Sequence, residues 1–182
     1  KKDLNERNIQ PLSDDYIKFI RYGQHFIDKN GEGILAYISN NSFIDGLIHR
    51  QMRKHLLESF DEIYILDLHG NSKKQETAPD GSKDENVFDI MQGVSINIFV
   101  KTGKKAKNEL GKLFHSELFG KREDKYNALH DGKISNLAWH SLKPSSKDYF
   151  FVLKDFSISA IYEKGFYVSE IFSLYNSGLS TE

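Results

Sequence analysis

GILAYISNNSFIDG, residues Gly33–Gly46, is the stretch on which the fold turns. Six uncharged residues, Ile34 to Ser39, give way to Asn40, Asn41, Ser42 and Phe43, and a basic amphipathic run, LIHRQMRKHLLESF, follows from Leu47. So continuous an apolar run predicts a central strand covered on both faces. A buried strand that ends in polar side chains just before a helix is a common ligand position in α/β proteins. Asn40 and Asn41 therefore mark a candidate site, although both also suit a simple turn or helix N-cap.

Upstream, Ser13 is placed to cap a helix whose first turn carries Asp14 and Asp15 against the helix dipole. Tyr16, Phe19, Ile20, Gly23, Phe26 and Ile27 recur at helical spacing and predict one apolar face, and Asn30-Gly31-Glu32-Gly33 ends the helix. Downstream, a second helix is expected from about Gly46 to Phe60, with Ile48, Met52, Leu56 and Phe60 inward and Arg50, Arg53 and Lys54 outward. EIYILDL (Glu62–Leu68) reads as the next strand. The polar segment from Gly70 to Asn86 has no period and reads as a long mobile loop. Beyond it Val94, Ile96, Ile98 and Val100 alternate with Ser95, Asn97, Phe99 and Lys101, a strand pattern. No helical run precedes this strand, and a parallel return needs a crossover of about a dozen residues or more, so it should run antiparallel to a neighbour. Phe114 to Tyr126 fits either a helix or a strand with a loop, DYFFVLK (Asp148–Lys154) reads as a strand, and Ala160 to Asn176 is aromatic-rich without a clear period.

With 182 residues, 38% of them hydrophobic, the chain can bury a core, and its net charge of −1 carries no global nucleic-acid signature. Cysteine is absent, which removes disulfides and thiolate chemistry and suits a cytoplasmic protein. No apolar run approaches the roughly 18 residues that span a bilayer, so no membrane role is expected. The seven histidines show no metal spacing, and no metal is expected: His49 and His55, six apart, fall on different sides of a helix. KKDLNERNIQPLSDD opens like a linker and YNSGLSTE stops in loop-like sequence, so a fragment of something larger is expected.

The order helix, GEGILAYISNNSFI, basic helix, EIYILDLHGN, long loop, NVFDIMQGVSINIFVK resembles the second half of the catalytic domain of adenine-N6 DNA methyltransferases, closest to the fused restriction-modification enzymes of type IIG and type ISP. LAWHSLKPSSKDYFFVLKDFS resembles the segment joining that domain to DNA recognition, and NSGLSTE the hinge before it. The resemblance implies part of a Rossmann-like α/β sheet, mostly parallel with an antiparallel last strand. It divides the chain into residues 1–102, the second half of the catalytic domain, and 103–182, an extension leading to the recognition domain. It further implies S-adenosylmethionine as cofactor and a flipped adenine of double-stranded DNA as substrate. The family's glycine-rich cofactor turn and its Asn/Asp-Pro-Pro-Tyr/Phe motif do not occur here: the three prolines, at 11, 79 and 144, are isolated. No catalytic residue is assigned to this chain, which should be inactive alone. In the family the strand-end segment carries proline where Asn40 stands.

Carried over residue by residue, Phe19 matches an aromatic that packs against the cofactor adenine, and the alternative is a core phenylalanine. Phe88 matches an aromatic that stacks on the flipped base, and the alternative is an anchor for the end of the long loop. Asn40 and Asn41 would border the methyl-transfer cleft. Lys101, Lys104 and Lys105, with Lys107, form a basic cluster that suits either a phosphate contact or a soluble turn. Two other classes stand beside this reading. One is a noncatalytic DNA-binding module with a degenerate methyltransferase fold. The other is a nucleotide-binding enzyme such as a dehydrogenase, disfavoured because no Gly-x-Gly-x-x-Gly follows a strand.

Overall fold

The computed structural model describes residues 4, 6, 8–145 and 147–171. Helix α1 (Asp15–Asn30) leads into strand β1 (Gly33–Asn40). A short helix α2 (Ser42–Asp45), a 3-10 turn (Leu47–His49) and helix α3 (Arg50–Ser59) connect it to β2 (Glu62–Asp67). After a long loop come β3 (Val94–Lys101), β4 (Lys112–Glu117), α4 (Arg122–Asp131) and β5 (His140–Leu142). Two single-turn helices, α5 (Ser159–Tyr162) and α6 (Val168–Ile171), follow. The hinge-like NSGLSTE lies outside the described residues.

The strands form one five-stranded sheet in the order β1-β3-β2-β4-β5. β3 pairs antiparallel with both β1 and β2, β2 pairs parallel with β4, and β5 is antiparallel to β4. The antiparallel orientation of β3 follows the expectation from its missing crossover. The sheet is mixed rather than mostly parallel: β1, β2 and β4 run one way, with β3 between the first two and β5 at the far edge. The sheet also continues past residue 102 through β4 and β5.

β1 is not central. Among the described residues it pairs only with β3, and Ile34, Ala36 and Ile38 face outward while Leu35 and Tyr37 pack inward. Its uninterrupted apolar sequence is thus half covered. On the inner face, Leu35, Phe99, Ile63 and Leu113 fall in one cross-strand row, and Ile17, Ile20, Leu56, Leu57 and Phe60 from α1, α3 and its end close over it. Phe60 and Phe99 pack with ring centroids 5.3 Å apart. Each such buried side chain contributes about 1.5–3 kcal/mol. On the other face Tyr64 stacks on Phe114 and meets Trp139 edge-on, while Leu66, Leu68, Val87 and Val94 pack with Leu129 and Leu137.

Two expectations around α3 are corrected together. Gly46 is extended and breaks the predicted Gly46–Phe60 helix, so α3 begins only at Arg50. Arg53, expected outward, is completely buried. Its Nη1 donates to the carbonyls of Phe43 (2.6 Å) and Gly46 (2.7 Å), its Nη2 to Asp148 (2.6 Å) and its Nε to Tyr149 (2.8 Å). The guanidinium also sits 5.2 Å from the Phe150 ring centroid. The same contacts explain why DYFFVLK is no strand. Its carbonyls bond to Arg53 rather than to a sheet, and the Phe151 amide donates to Ile44 O (2.8 Å) while its ring fills the core. Burial pulls the Arg53 guanidinium down to about 10, against the upward pull of Asp45 and Asp148, so it stays charged at neutral pH.

Candidate functional site

Along the helix-covered face of the sheet, cross-strand rows change from apolar to polar toward the C-terminal ends of β1, β2 and β4. The apolar row Leu35–Phe99–Ile63–Leu113 is followed by Tyr37–Asn97–Ile65–His115, then by Ser39–Ser95–Asp67–Glu117. Ser95 and Asn97 are wholly buried, so the polar positions of β3 do not mark a solvent face. Asn97 satisfies itself locally: Nδ2 donates to Tyr37 O (3.1 Å) and Ser39 Oγ (3.2 Å), and Oδ1 accepts from Ser95 Oγ (2.9 Å). Buried polar groups need such partners. In this row His115 is buried with neither ring nitrogen hydrogen-bonded, as is His49 beside α3, and burial lowers the pKa of His115.

Beyond the last row the strand ends meet. Asn41 Nδ2 donates to Asp67 Oδ1 (2.9 Å), which also accepts from the His69 amide (3.0 Å). His69 has a left-handed backbone (φ 52°) and stacks on Phe119 with centroids 3.8 Å apart. Its Nε2 lies 3.2 Å from Glu117 Oε1 and its Nδ1 3.8 Å from Asp67 Oδ2. The first of these is not a well-aligned hydrogen bond, and it is a charge pair when His69 is protonated. Burial opposes the imidazolium, but Glu117 and Asp67 outweigh it and raise the His69 pKa, while the same contact lowers that of Glu117. Asp67, His69 and Glu117 went unnoticed in the sequence. Each is a single polar residue at a strand end, and only the strand order brings them together.

Asn40 closes the turn: its Oδ1 accepts from the Ser42 amide (2.8 Å) and from Ser42 Oγ (2.6 Å). Both asparagines thus have structural partners at the strand end. Next to them lies the segment 86–93. The Asn41 amide donates to Gly93 O (3.0 Å), and a Cβ on Gly93 would meet Asn41 Nδ2 at 2.8 Å, so a side chain there would have to displace the Asn41 carboxamide. At the other end Asn86 Nδ2 donates to Gly70 O (3.0 Å) and Gln92 O (2.6 Å), and Asn86 Oδ1 accepts from the Phe88 amide (2.8 Å). Gly70 (φ 79°) touches the Asn86 backbone where a Cβ would collide. The rest of the long segment is held as well. Thr77 bridges to Lys83, and Asp84 accepts from the amides of Gly70 (2.7 Å) and Gly120 (2.8 Å). Phe88 is 43% exposed, beside the exposed Ile90 and Met91.

Phe19 is 59% exposed on the outward side of α1 with Tyr22 and Phe26, whereas Ile17, Ile20 and Gln24 form the buried side. The sequence stripe therefore splits into two faces. Because the chain reverses within Gly31–Glu32, Phe19, near the start of α1, lies toward the Asn40 end of β1. The lysine cluster does not join this site. In the β1–β3 register Val94 faces Asn40 and Lys101 faces Gly33, which puts Lys101 about 24 Å away along the sheet. Lys101 Nζ pairs with Asp28 (2.7 Å), and Lys105 Nζ donates to Glu58 O and Glu109 O, whereas Lys104 is exposed. Among the described residues no group of three or more acidic, histidine or cysteine side chains is placed to hold a metal, and no helix is long and apolar enough to cross a membrane.

No family model and no curated protein matches the chain. Solved structures do. The chain is similar to the protein in the cryo-EM structure of a DrdV–DNA complex (27% identity, TM-score 0.69), covering 83% of this chain and 14% of that one. It is also similar to the ATP-dependent type ISP restriction-modification enzyme LlaBIII bound to DNA (28%, TM-score 0.64; 80% of this chain, 10% of that one). The fold also recurs in a nuclease-deletion mutant of the type ISP restriction-modification enzyme LlaGI with a DNA substrate mimic (23%, TM-score 0.71; 87% and 13%). This chain thus spans a small part of each of those proteins, and its structural neighbours include restriction-modification enzymes held on DNA.

Proposed function

We propose that the chain is part of the methyl-transfer domain of a fused restriction-modification enzyme that methylates the N6 amine of an adenine flipped out of double-stranded DNA. The observation that carries this reading is the presentation of Phe88. An exposed aromatic stands on a loop fastened beside the polar ends of β1 and β2, ahead of an antiparallel strand, in a chain whose neighbours are bound to DNA. An unstacked base offers two π-faces, and stacking on one of them is worth about 1–3 kcal/mol. Phe88 is the proposed base contact, Asn40 and Asn41 border the cleft, and Phe19 is the proposed contact for the adenine of S-adenosylmethionine. The glycine-rich turn and the Asn/Asp-Pro-Pro-Tyr/Phe motif belong to other parts of the longer protein. The edge of β1 that pairs with no strand among the described residues, with Ile34 and Ile38 exposed beside it, is where that part of the sheet would join.

The test incubates the longer protein carrying this chain with methyl-labelled S-adenosylmethionine and adenine-unmethylated plasmid. Label recovered as N6-methyladenine, at sites then mapped by sequencing, is the expected result. Phe88→Ala should lower its formation by about fivefold to 150-fold. DNA binding without any N6-methyladenine would leave the noncatalytic DNA-binding module in its place.

A further inference from the structure

The loop that carries Phe88 is held by more than the neighbouring strand ends. The carbonyls of Glu85, Asn86, Val87 and Phe88, four in succession, each accept a hydrogen bond from a side chain of α4. Lys125 Nζ donates to Glu85 O (2.7 Å), Arg122 Nε to Asn86 O (2.7 Å), the Tyr126 hydroxyl to Val87 O, and Arg122 Nη2 to Phe88 O (3.0 Å). Arg122 Nη1 also pairs with Asp89 (2.7 Å). Successive carbonyls of a strand point to opposite sides, so one helix could not collect them all from regular β structure. Residues 122, 125 and 126 stand three and four apart, on one face of α4. The anchor beneath is the wholly buried pair of Lys125 and Asp84 (2.8 Å), with Lys125 also donating to Leu68 O (2.7 Å) at the end of β2.

We infer that α4 is a positioning clamp for the base-stacking loop: Arg122 and Tyr126 fix the backbone that aims the Phe88 ring at an unstacked purine, so a helix more than thirty residues later in the chain sets the geometry of the site. This inference rests on the reading of Phe88 as the base contact. Lys125 is the foundation and the wrong residue to change, because its loss would leave Asp84 charged, buried and unpaired. Arg122 and Tyr126 are accessible enough to change without emptying a core.

The test uses the longer protein and a duplex bearing its mapped methylation site, with 2-aminopurine in place of the target adenine, whose fluorescence rises on flipping. Phe88→Ala, Arg122→Gln, Tyr126→Phe and the double variants with Phe88→Ala are compared, with duplex affinity and melting temperature alongside. The clamp predicts that Arg122→Gln lowers the flipped fraction about threefold to tenfold, and Tyr126→Phe less. It also predicts that Arg122→Gln adds less than about twofold once Phe88 is alanine, because residues acting through one contact are not additive. Equal losses in both backgrounds would overturn the clamp and leave Arg122 a merely structural residue. So would an unchanged flipped fraction in both Arg122→Gln and Tyr126→Phe while Phe88→Ala is defective. If Phe88→Ala itself leaves flipping intact, the reading of Phe88 fails first and the clamp falls with it.

Discussion

Replacing Arg53 with methionine keeps most of the buried stem and removes the guanidinium, which makes its loss a clean measure of what that group holds. Five donations end on four carbonyls: Phe43 in α2, Gly46 at its end, and Asp148 and Tyr149 on the downstream segment. The Phe43 carbonyl belongs to a fully buried residue, and an orphaned group there costs about 1–3 kcal/mol. Gly46, Asp148 and Tyr149 are only half-buried, so water partly replaces the lost donors. The partners are all carbonyls, so no buried charge is left unpaired, and the lost hydrogen bonds set the expected cost. We expect about 3 kcal/mol, read as a lower urea midpoint at unchanged slope. The Phe151 amide, bonded to Ile44 O, should exchange faster with solvent. Lys54→Met on the neighbouring helix position should stay within about 0.5 kcal/mol. A loss under about 1 kcal/mol for Arg53→Met would refute the argument that this side chain fastens residues 148–151 to the sheet layer.

Asn41→Asp would place a second carboxylate where Nδ2 now donates to Asp67 at 2.9 Å, and should cost about 2–4 kcal/mol at pH 7 and clearly less near pH 5, where one proton can be shared. Denaturation at the two pH values checks this, and equal losses would contradict it. For His69 and Glu117 the two signs combine. The raised His69 pKa gives stability that is complete below its ordinary 6.5 and lost as pH rises through the folded value, whereas the lowered Glu117 pKa gives stability present above its ordinary 4.5 and lost as pH falls through the folded value. Glu117→Gln should therefore destabilise most between about pH 4.5 and 6.5 and least in alkali, with the His69 titration moving down in proton spectra. In the longer protein, Lys104→Ala should reduce the slope of log affinity for duplex DNA against log salt by about 0.9, while Lys101→Ala, already paired with Asp28, should leave it unchanged.

Local pattern carried the sequence reading wherever one element decides its own fate. The apolar period of α1, the runs of β1 and β2 and the alternation of β3 are each visible in a short window. The orientation of β3 followed from the helix that is missing before it. What failed depends on partners distant in sequence. The stripe from Tyr16 to Ile27 is apolar on two sides, and nothing in its spacing says that Ile17 and Ile20 turn inward while Phe19 turns out. Arg53 has the sequence neighbourhood of a solvated face, and its burial requires carbonyls of residues 148 and 149 that no helical period reveals. DYFFVLK has strand composition but receives no strand partner. Asn41, Asp67, His69 and Glu117 become one cluster only because the strand order aligns their ends. The loop from Gly70 to Asn86, without period, is fixed by Asp84, Asn86 and the side chains of α4. Side-chain to backbone bonds of that kind leave no periodic trace.

The most direct test of the account is the separation between the Phe88 ring and the target adenine in a structure of the longer protein bound to its own methylation site. The account predicts an adenine outside the helix stack, its ring near-parallel to Phe88 with centroids within about 5 Å. An adenine still paired in the duplex, or one flipped into a pocket that Phe88 does not reach, would contradict it.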